Sequence, residues 1–521
     1  MNYLLGIDLG TTGCKAALYD VCGNVLAQSY REYKFILPAK NYVEEDPEDW
    51  WVKTIEIIKD IVAQNGDAAT NISGIGVSCT NALLAVDSDG VPLMNAIMQL
   101  DHRSKDLTDE MKKVVTPDMI FLKTGNRLVS GTVTAPVILW IKRNLPEIYN
   151  KTYKFLAPAG FIVNRLTGKF TIDFSRASTT ALFNIKNYSW DCELLETFQI
   201  SRDKLPEIFD SHEVVGYVTK QVAELTSLKE GIPVIAGVMD TVAAGIGIGS
   251  NDMSEPFLIM GSVGRICLPL METVFSDVFL NSCNTSETPY LSMAPINGVG
   301  NSMKWFRDVF GSSEFEIAKQ KDKSVFDIFS AMAAESELGS KGLIYLPYIA
   351  GERSPHWDSH AKGVFFGITT GHQKKEFIRA IMEGVAYALR NNLDIMKSFY
   401  KKDIRKLRIG GGCTLSEPWM QIVSDVLNVE LVQTDHTECE TLGAAILAGV
   451  GVGLFSSIQA AGKKIIRETI ATIPDYSRHQ KYAEYYIIFN NLYNVLSPQF
   501  VLVDNIAKMT EPERSKNKLN N

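Results

Sequence analysis

An α/β protein built from two large domains of related design is what this 521-residue chain predicts, and three observations carry that expectation. Short apolar runs alternate with longer segments of helical character, as in proteins that layer helices on sheets. The chain opens with a strand, a glycine-rich turn and a returning strand, and the same unit recurs about half a chain later. Hydrophobic residues make up 46% and charged residues 21%, an ordinary globular balance that excludes a mainly disordered, collagen-like or coiled-coil protein.

The opening strand covers residues 3–9, and Gly10-Thr11-Thr12-Gly13 breaks it before a second strand over 14–20. A helix follows over 47–64, because Asp46 can cap it and Pro47 occupies the first helical position. Strands are expected at 72–78 and 83–86, the latter ending in the turn Asp87-Ser88-Asp89-Gly90, and a helix at 135–144. Past the middle, an apolar strand at 256–260 meets the small-residue turn Gly261-Ser262-Val263-Gly264 and resumes at 265–268. Helices are expected at 374–399, 417–427 and 441–452. The boundary falls near Ser250, dividing the chain into domains over 1–250 and 251–490. A C-terminal helix and polar tail over 491–521 completes it, frayed from about 510.

Lys and Arg total 52 against 60 Asp and Glu, a net charge of −8, so a broad nucleic-acid or anionic-membrane surface is not expected and any phosphate must be held locally. The eight cysteines are scattered without a paired spacing and read as reduced thiols of a cytoplasmic protein. The start has no basic region before Asp8, so no secretory leader is expected. The apolar run 442–455 is shorter than the ~20 residues of a membrane helix and reads as a buried helix.

The chemistry gathers at glycine turns. In Asp8-x-Gly10-Thr11-Thr12-Gly13-x-Lys15 the glycines free backbone amides to point inward, the threonines add hydroxyls and Lys15 adds a positive charge. Together they suit a polyphosphate, with Asp8 facing its magnesium directly or through water. The pattern alone also fits a plain hairpin, and the companion turn at Gly261 to Gly264 is what favours phosphate. No G-x-x-x-x-G-K-[ST] occurs, and Gly245-x-Gly247-x-Gly249 lacks dinucleotide spacing and reads as tight helix packing. Asp240 stands where an apolar strand meets a small-residue helix. Spacing alone favours an N-cap there, but beside a substrate hydroxyl the same carboxylate can take the proton as that oxygen attacks a γ-phosphate. Gly410-Gly411-Gly412 leaves room for a flat base to approach the backbone. His356 and His360 lie in a loop and are not expected to bind metal.

In order and spacing these segments resemble the FGGY carbohydrate kinase family, the xylulokinases within it above all. The resemblance runs from about Leu4 to Gly453. It rests on Gly6-Ile7-Asp8-Leu9-Gly10-Thr11-Thr12, Glu45-Asp46-Pro47-Glu48-Asp49-Trp50-Trp51, Asp240, and the turn at Gly261. Gly351-Glu352-Arg353-Ser354-Pro355-His356-Trp357-Asp358, Arg379 to Ala386 and the triple glycine complete it. It implies two ribonuclease H-like (actin-like ATPase) domains with an interdomain active-site cleft, holding ATP and Mg2+ with a small sugar deeper in. Position by position, it makes Asp240 the general base and Asp8 the magnesium-linked carboxylate. Gly10, Thr11, Thr12 and Lys15 meet phosphates; Gly261, Ser262, Gly300, Gly411, Gly412 and Ser416 meet the nucleotide. Thr80, Asn81, Gln99, Asp101, Asp240 and Thr241 fall at the sugar. A homodimer is a family-level expectation.

The departures lie where the sugar is chosen. Xylulokinases usually continue Gly-Gln-Met-His-Gly where this chain has Cys79-Thr80-Asn81-Ala82-Leu83, so Ala82 replaces the usual sugar-binding histidine, and Gln99 replaces a common tryptophan. Val137 stands where a lysine is frequent. D-xylulose ranks first by overall similarity, with gluconate, another pentulose or a polyol open. The rival reading is a non-enzymatic actin-like ATP-binding protein or sugar sensor, which the altered sugar loop favours and the retained Asp240 opposes.

Overall fold

The computed structural model describes residues 2–250 and 255–510. Contacts divide the chain into two compact units, and neither is a continuous stretch. The first comprises Met1–Phe257, Cys267–Met293 and Thr434–Thr469; the second comprises Leu258–Ile266, Ala294–Gln433 and Ile470–Asn521. The junction expected after Ser250 begins at Asn251, outside the described residues, as does the polar tail from Glu511.

The first unit is built on a mixed sheet with strand order Val214–Tyr217, Pro233–Ile235, Ile72–Cys79, Tyr3–Leu9, Gly13–Asp20 and Val25–Glu32; Val238–Met239 also pairs with Ile72–Cys79. Tyr3–Leu9 runs antiparallel to Gly13–Asp20 and parallel to Ile72–Cys79. All seven residues of Tyr3–Leu9 are buried, as expected of a central strand covered on both faces. Helix Pro47–Gln64 has the expected start, Asp46 accepting the amide of Glu48 at 2.9 Å with proline in the first turn.

Helix Cys439–Gly451 lies against the other face of the same sheet. Gly6 and Gly76 are register partners, and a Cβ on either would meet the helix backbone: 1.9 Å from the Thr441 carbonyl oxygen and 2.0 Å from that of Ala444. Two adjacent residues without side chains therefore let a helix rest directly on the strands. Side chains of a strand alternate in direction, so Asp8, two residues after Gly6, faces the same side as the helix.

A second sheet has the strand order Gly264–Leu270, Phe257–Met260, Lys406–Gly410 and Glu430–Thr434, the last two parallel. Helices Lys374–Tyr400 and Glu417–Leu427 cover it, close to the spans read from the sequence. The terminal helix is Tyr476–Thr510 and starts well before the 491 expected. Tyr482, Phe489 and Phe500 are its buried side chains, and their apolar anchoring outweighs the polar stretches between them.

Candidate active site

The site residues expected from the sequence fall into two groups, one in each unit. In the first unit the sheet register assembles the centre. Asp8 stands opposite Ser78 on one neighbouring strand and opposite Lys15 on the other. Ser78 Oγ donates to Asp8 Oδ1 at 2.5 Å, and Lys15 Nζ lies 3.9 Å from Asp8 Oδ2. Lys15 also meets Glu438 at 2.9 Å and Glu440 at 3.0 Å, at the start of the helix that rests on Gly6 and Gly76. So the lysine expected beside phosphates is held among three carboxylates.

Burial pushes the Asp8 carboxyl up to about 7. Glu440 and Asp240 add to the rise, while Lys15 and the Ser78 hydroxyl oppose it. The local charge is net negative, Asp8, Asp240, Glu438 and Glu440 against one lysine, which is the imbalance a cation corrects. Among the described residues no three His, Cys, Asp or Glu side chains converge to hold a metal by themselves. A single buried carboxylate with hydroxyls nearby fits Mg2+, which takes one or two carboxylates and completes its octahedron with water and phosphate oxygens.

The turn between the first two strands is braced from outside. Gly10 N–H donates to Gly13 O at 3.0 Å, Tyr33 N–H donates to Thr12 O at 3.3 Å, and the Tyr33 hydroxyl donates to Gly10 O. Thr11 Oγ1 lies 3.2 Å from Thr80 Oγ1, which accepts from Gln99 Nε2 at 3.1 Å. The turn at Gly10–Gly13 and the loop at Thr80 thus share a line of hydroxyl and amide groups. Asn81 Nδ2 donates to Thr132 O at 2.9 Å. Asp101 is buried and accepts from Val43 N–H at 2.7 Å and from the backbone and guanidinium of Arg103.

Asp240 opens helix Asp240–Gly247, whose N-cap is Met239, so the capping role read from spacing is corrected: the carboxylate lies inside the first turn. Its Oδ1 accepts from Thr241 N–H at 2.6 Å and Thr241 Oγ1 at 3.1 Å, an arrangement that orients the carboxylate.

In the second unit, Gly300 N–H donates to Gly261 O at 3.0 Å and Asn301 N–H to Ser262 O at 2.9 Å, seating the start of helix Gly300–Phe310 on the glycine turn. Gly411 has φ +97°, and a Cβ there would lie 2.6 Å from Met260 O, so only glycine fits. Gly412 has open space around its Cα, and Ser416 Oγ accepts from Ser330 Oγ at 2.7 Å. His356 stacks on Tyr493 and His360 pairs with Asp504.

Glu352, in the motif at Gly351, holds the turn before that helix. Its Oε1 accepts from Asn297 N–H at 2.9 Å and Arg353 N–H at 2.7 Å, and Arg353 Nε donates to Asn297 Oδ1 at 2.7 Å. Burial pushes Glu352 up to about 8 against those hydrogen bonds. A native pKa above the ordinary 4.5 means stability that is full below about pH 4.5 and lost as pH rises through about 8. Glu352→Gln removes the titration. Relative to wild type its melting temperature is expected to rise between pH 5 and 8.5, by the equivalent of a few kcal/mol at most; parallel curves would show that Glu352 does not titrate there.

Ser78, Tyr33, Glu438 and Glu440 were not legible as site residues. Each reaches the centre through strand register or a helix from a distant part of the chain, and no local motif marks it.

Residues 3–247 match the N-terminal domain of the FGGY family of carbohydrate kinases and residues 267–452 match its C-terminal domain. The chain is 31% identical over 500 residues to the xylulose kinase of Bacillus subtilis, covering 95% of this chain and 97% of that one. Among solved structures, the ligand-bound xylulose kinase of Lactobacillus acidophilus superposes with a TM-score of 0.87 at 26% identity, covering 96% of this chain and all of that one. The gluconate kinase of the same organism gives 0.86 at 26%, covering 96% and 99%. The two units are ribonuclease H-like, of the actin-like ATPase type. The chain belongs to the FGGY family of carbohydrate kinases and is a sugar phosphotransferase.

Proposed function

We propose that the protein transfers the γ-phosphoryl group of ATP to a hydroxyl of a small sugar, with Asp240 as general base. The observation that supports this best is the grouping, within the first unit, of Asp240, Asp8 and the line Thr11–Thr80–Gln99. Asp240, oriented by Thr241, takes the proton of the attacking hydroxyl. Gly10, Thr11, Thr12 and Lys15 hold phosphate oxygens, and Asp8 anchors the ion. Mg2+, when bound, neutralises charge on the β- and γ-phosphates. Gly261, Ser262, Gly300, Gly411, Gly412 and Ser416 are assigned to the nucleotide, and Thr80, Asn81, Gln99 and Asp101 to the acceptor. Asp101 serves through the shape it gives Arg103 and Val43 as much as by contact.

D-xylulose stands first by overall similarity. Gluconate follows closely, because the two Lactobacillus kinases are nearly equal structural neighbours and because Ala82 and Gln99 depart from the xylulokinase pattern. The reading includes a cytoplasmic setting and no nucleic-acid partner. Among the described residues no helix is long and apolar enough to cross a membrane. ADP release measured over pentuloses, hexuloses, aldonates and polyols tests the proposal. Turnover on at least one acceptor, with a dependence on Mg2+, is expected. ATP-dependent polymerisation, or tight sugar binding without turnover, would favour the sensor reading instead.

A further inference from the structure

The motif Glu45-Asp46-Pro47-Glu48-Asp49-Trp50-Trp51 supplies no group to the site, yet it packs against a residue that does. Trp50, on helix Pro47–Gln64, has its ring centre 6.5 Å from that of Tyr33, and its indole N–H donates to Glu45 Oε2 at 2.7 Å. Glu45 and Trp50 are each 1% exposed and Tyr33 7%. The three side chains form one buried series, and its last member touches the turn Gly10–Gly13.

Tyr33 follows strand Val25–Glu32, whose register sets Glu32 opposite Gly13. One residue further on, Tyr33 N–H donates to Thr12 O at 3.3 Å and the Tyr33 hydroxyl donates to Gly10 O. In a tight turn Gly10 O would accept from Gly13 N–H, three residues on. Among the described residues that backbone bond is not made, and only the reverse one, from Gly10 N–H to Gly13 O at 3.0 Å, is present. The tyrosine hydroxyl therefore stands in for a backbone donor and leaves Gly13 N–H uncommitted. Burial holds the hydroxyl well above its ordinary pKa, so it stays a donor. A peptide group is planar and trans, so a carbonyl and the N–H that follows it point in opposite directions. With Gly10 O and Thr12 O held toward Tyr33, the amides of Thr11 and Gly13 point away from it, and amides aimed outward from one turn make an anion-binding concavity.

We propose that Tyr33 is a positioning residue for the phosphate turn: by holding two of its carbonyls it aims the amides of Thr11 and Gly13 at the β- and γ-phosphates, and Glu45 and Trp50 fix Tyr33 in place. The inference rests on the phosphate role of the turn argued above and adds the side chain that sets the direction of its donors. It also says what separates this turn from a plain hairpin. Phenylalanine at position 33 keeps the ring against Trp50 and the backbone bond to Thr12, and loses only the hold on Gly10 O. Gly13 N–H is then free to close onto Gly10 O, and the turn has one donor fewer for phosphate.

The test measures ATP, ADP and AMP binding by calorimetry in wild type, Tyr33→Phe and Trp50→Phe, with the melting temperature of each, and ATP kinetics on an acceptor that turns over. Tyr33→Phe is expected to weaken ATP and ADP about 3- to 10-fold, the worth of one hydrogen bond, with kcat/KM for ATP falling at least as far. AMP, which lacks both outer phosphates, should bind within about twofold of wild type, and the KM for the acceptor should move as little. Trp50→Phe, which leaves the hydroxyl in place but removes the bond to Glu45, should act in the same direction by a smaller factor, and it carries the test if Tyr33→Phe does not fold. Unchanged ADP affinity in the variants would overturn the proposal. So would an equal loss for ADP and AMP, which marks a general loosening that the melting temperature alone would report. In wild type, hydrogen exchange over residues 10–13 should slow with ADP and not with AMP; no slowing with ADP would overturn the phosphate role of the turn and Tyr33 with it. Because binding is measured without acceptor, these outcomes are distinct from absence of turnover on every acceptor, which would remove the kinase reading.

Discussion

Asp240→Asn is expected to abolish phosphoryl transfer while leaving the nucleotide bound. The substitution keeps size and shape, and an amide oxygen in the place of Oδ1 still accepts from Thr241 N–H and Thr241 Oγ1, so the first turn of the helix keeps its form. What disappears is the ability to accept a proton as the acceptor oxygen attacks. A positioned general base is worth about 10²–10⁴ in rate, and kcat should fall by that range. The KM for ATP and calorimetric binding of ADP should change less than about threefold, because no nucleotide contact is removed. Turnover close to wild type would take the base role from Asp240. A fall in ATP affinity matching the fall in kcat would point to a role in shape instead.

Asp8→Asn is the second large effect, and its signature differs. Asp8 sits between Ser78 and Lys15, and an amide in its place can still accept from Ser78. The variant loses a negative charge where the magnesium-linked phosphates are expected. Activity should fall about 10²–10³-fold, a magnitude typical of losing a group that acts on transition-state charge, with half-maximal activity moved to higher Mg2+. Stability should move the other way. Burial holds the native Asp8 at about 7, so its ionised form opposes folding at and above neutral pH; the contribution is present below the ordinary carboxylate range and lost through about 7. The asparagine variant should therefore melt at or above the wild-type temperature at pH 8. Residues kept for function at the expense of stability behave in this way. A variant that loses stability and activity together would make Asp8 structural.

The parts of this architecture legible in the sequence are those with local causes. Helix Pro47–Gln64 begins where Asp46 and Pro47 require it, and Ala135–Asn144 and Glu417–Leu427 match the spans expected. The two glycine turns sit between the strands that the apolar runs marked. What stayed hidden depends on pairing between distant segments. Nothing in Ser78 itself says that parallel register places it opposite Asp8, and nothing in Lys15 itself announces its ion pairs with Glu438 and Glu440 from the far end of the chain. Tyr33 braces Gly10 and Thr12 from beyond a neighbouring strand. Asp240 shows the limit from the other side: its neighbourhood was readable, yet its place inside the helix rather than at the cap was settled by one residue of backbone geometry.

The helix resting on Gly6 and Gly76 also sets the order in which the molecule can be made. During synthesis the strands Tyr3–Leu9 and Ile72–Cys79 leave the ribosome several hundred residues ahead of Cys439–Gly451, the segment that covers them. Until it arrives, a sheet face with a bare backbone patch is open to solvent and to other nascent chains, the condition under which large proteins pause and call on chaperones. Completion of the first unit is thus a late event, and the acidic pair that arrives with the helix, Glu438 and Glu440, closes on Lys15 in the same step. The cluster of Asp8, Lys15, Glu438 and Glu440 is complete only after the segment Cys439–Gly451 has been made.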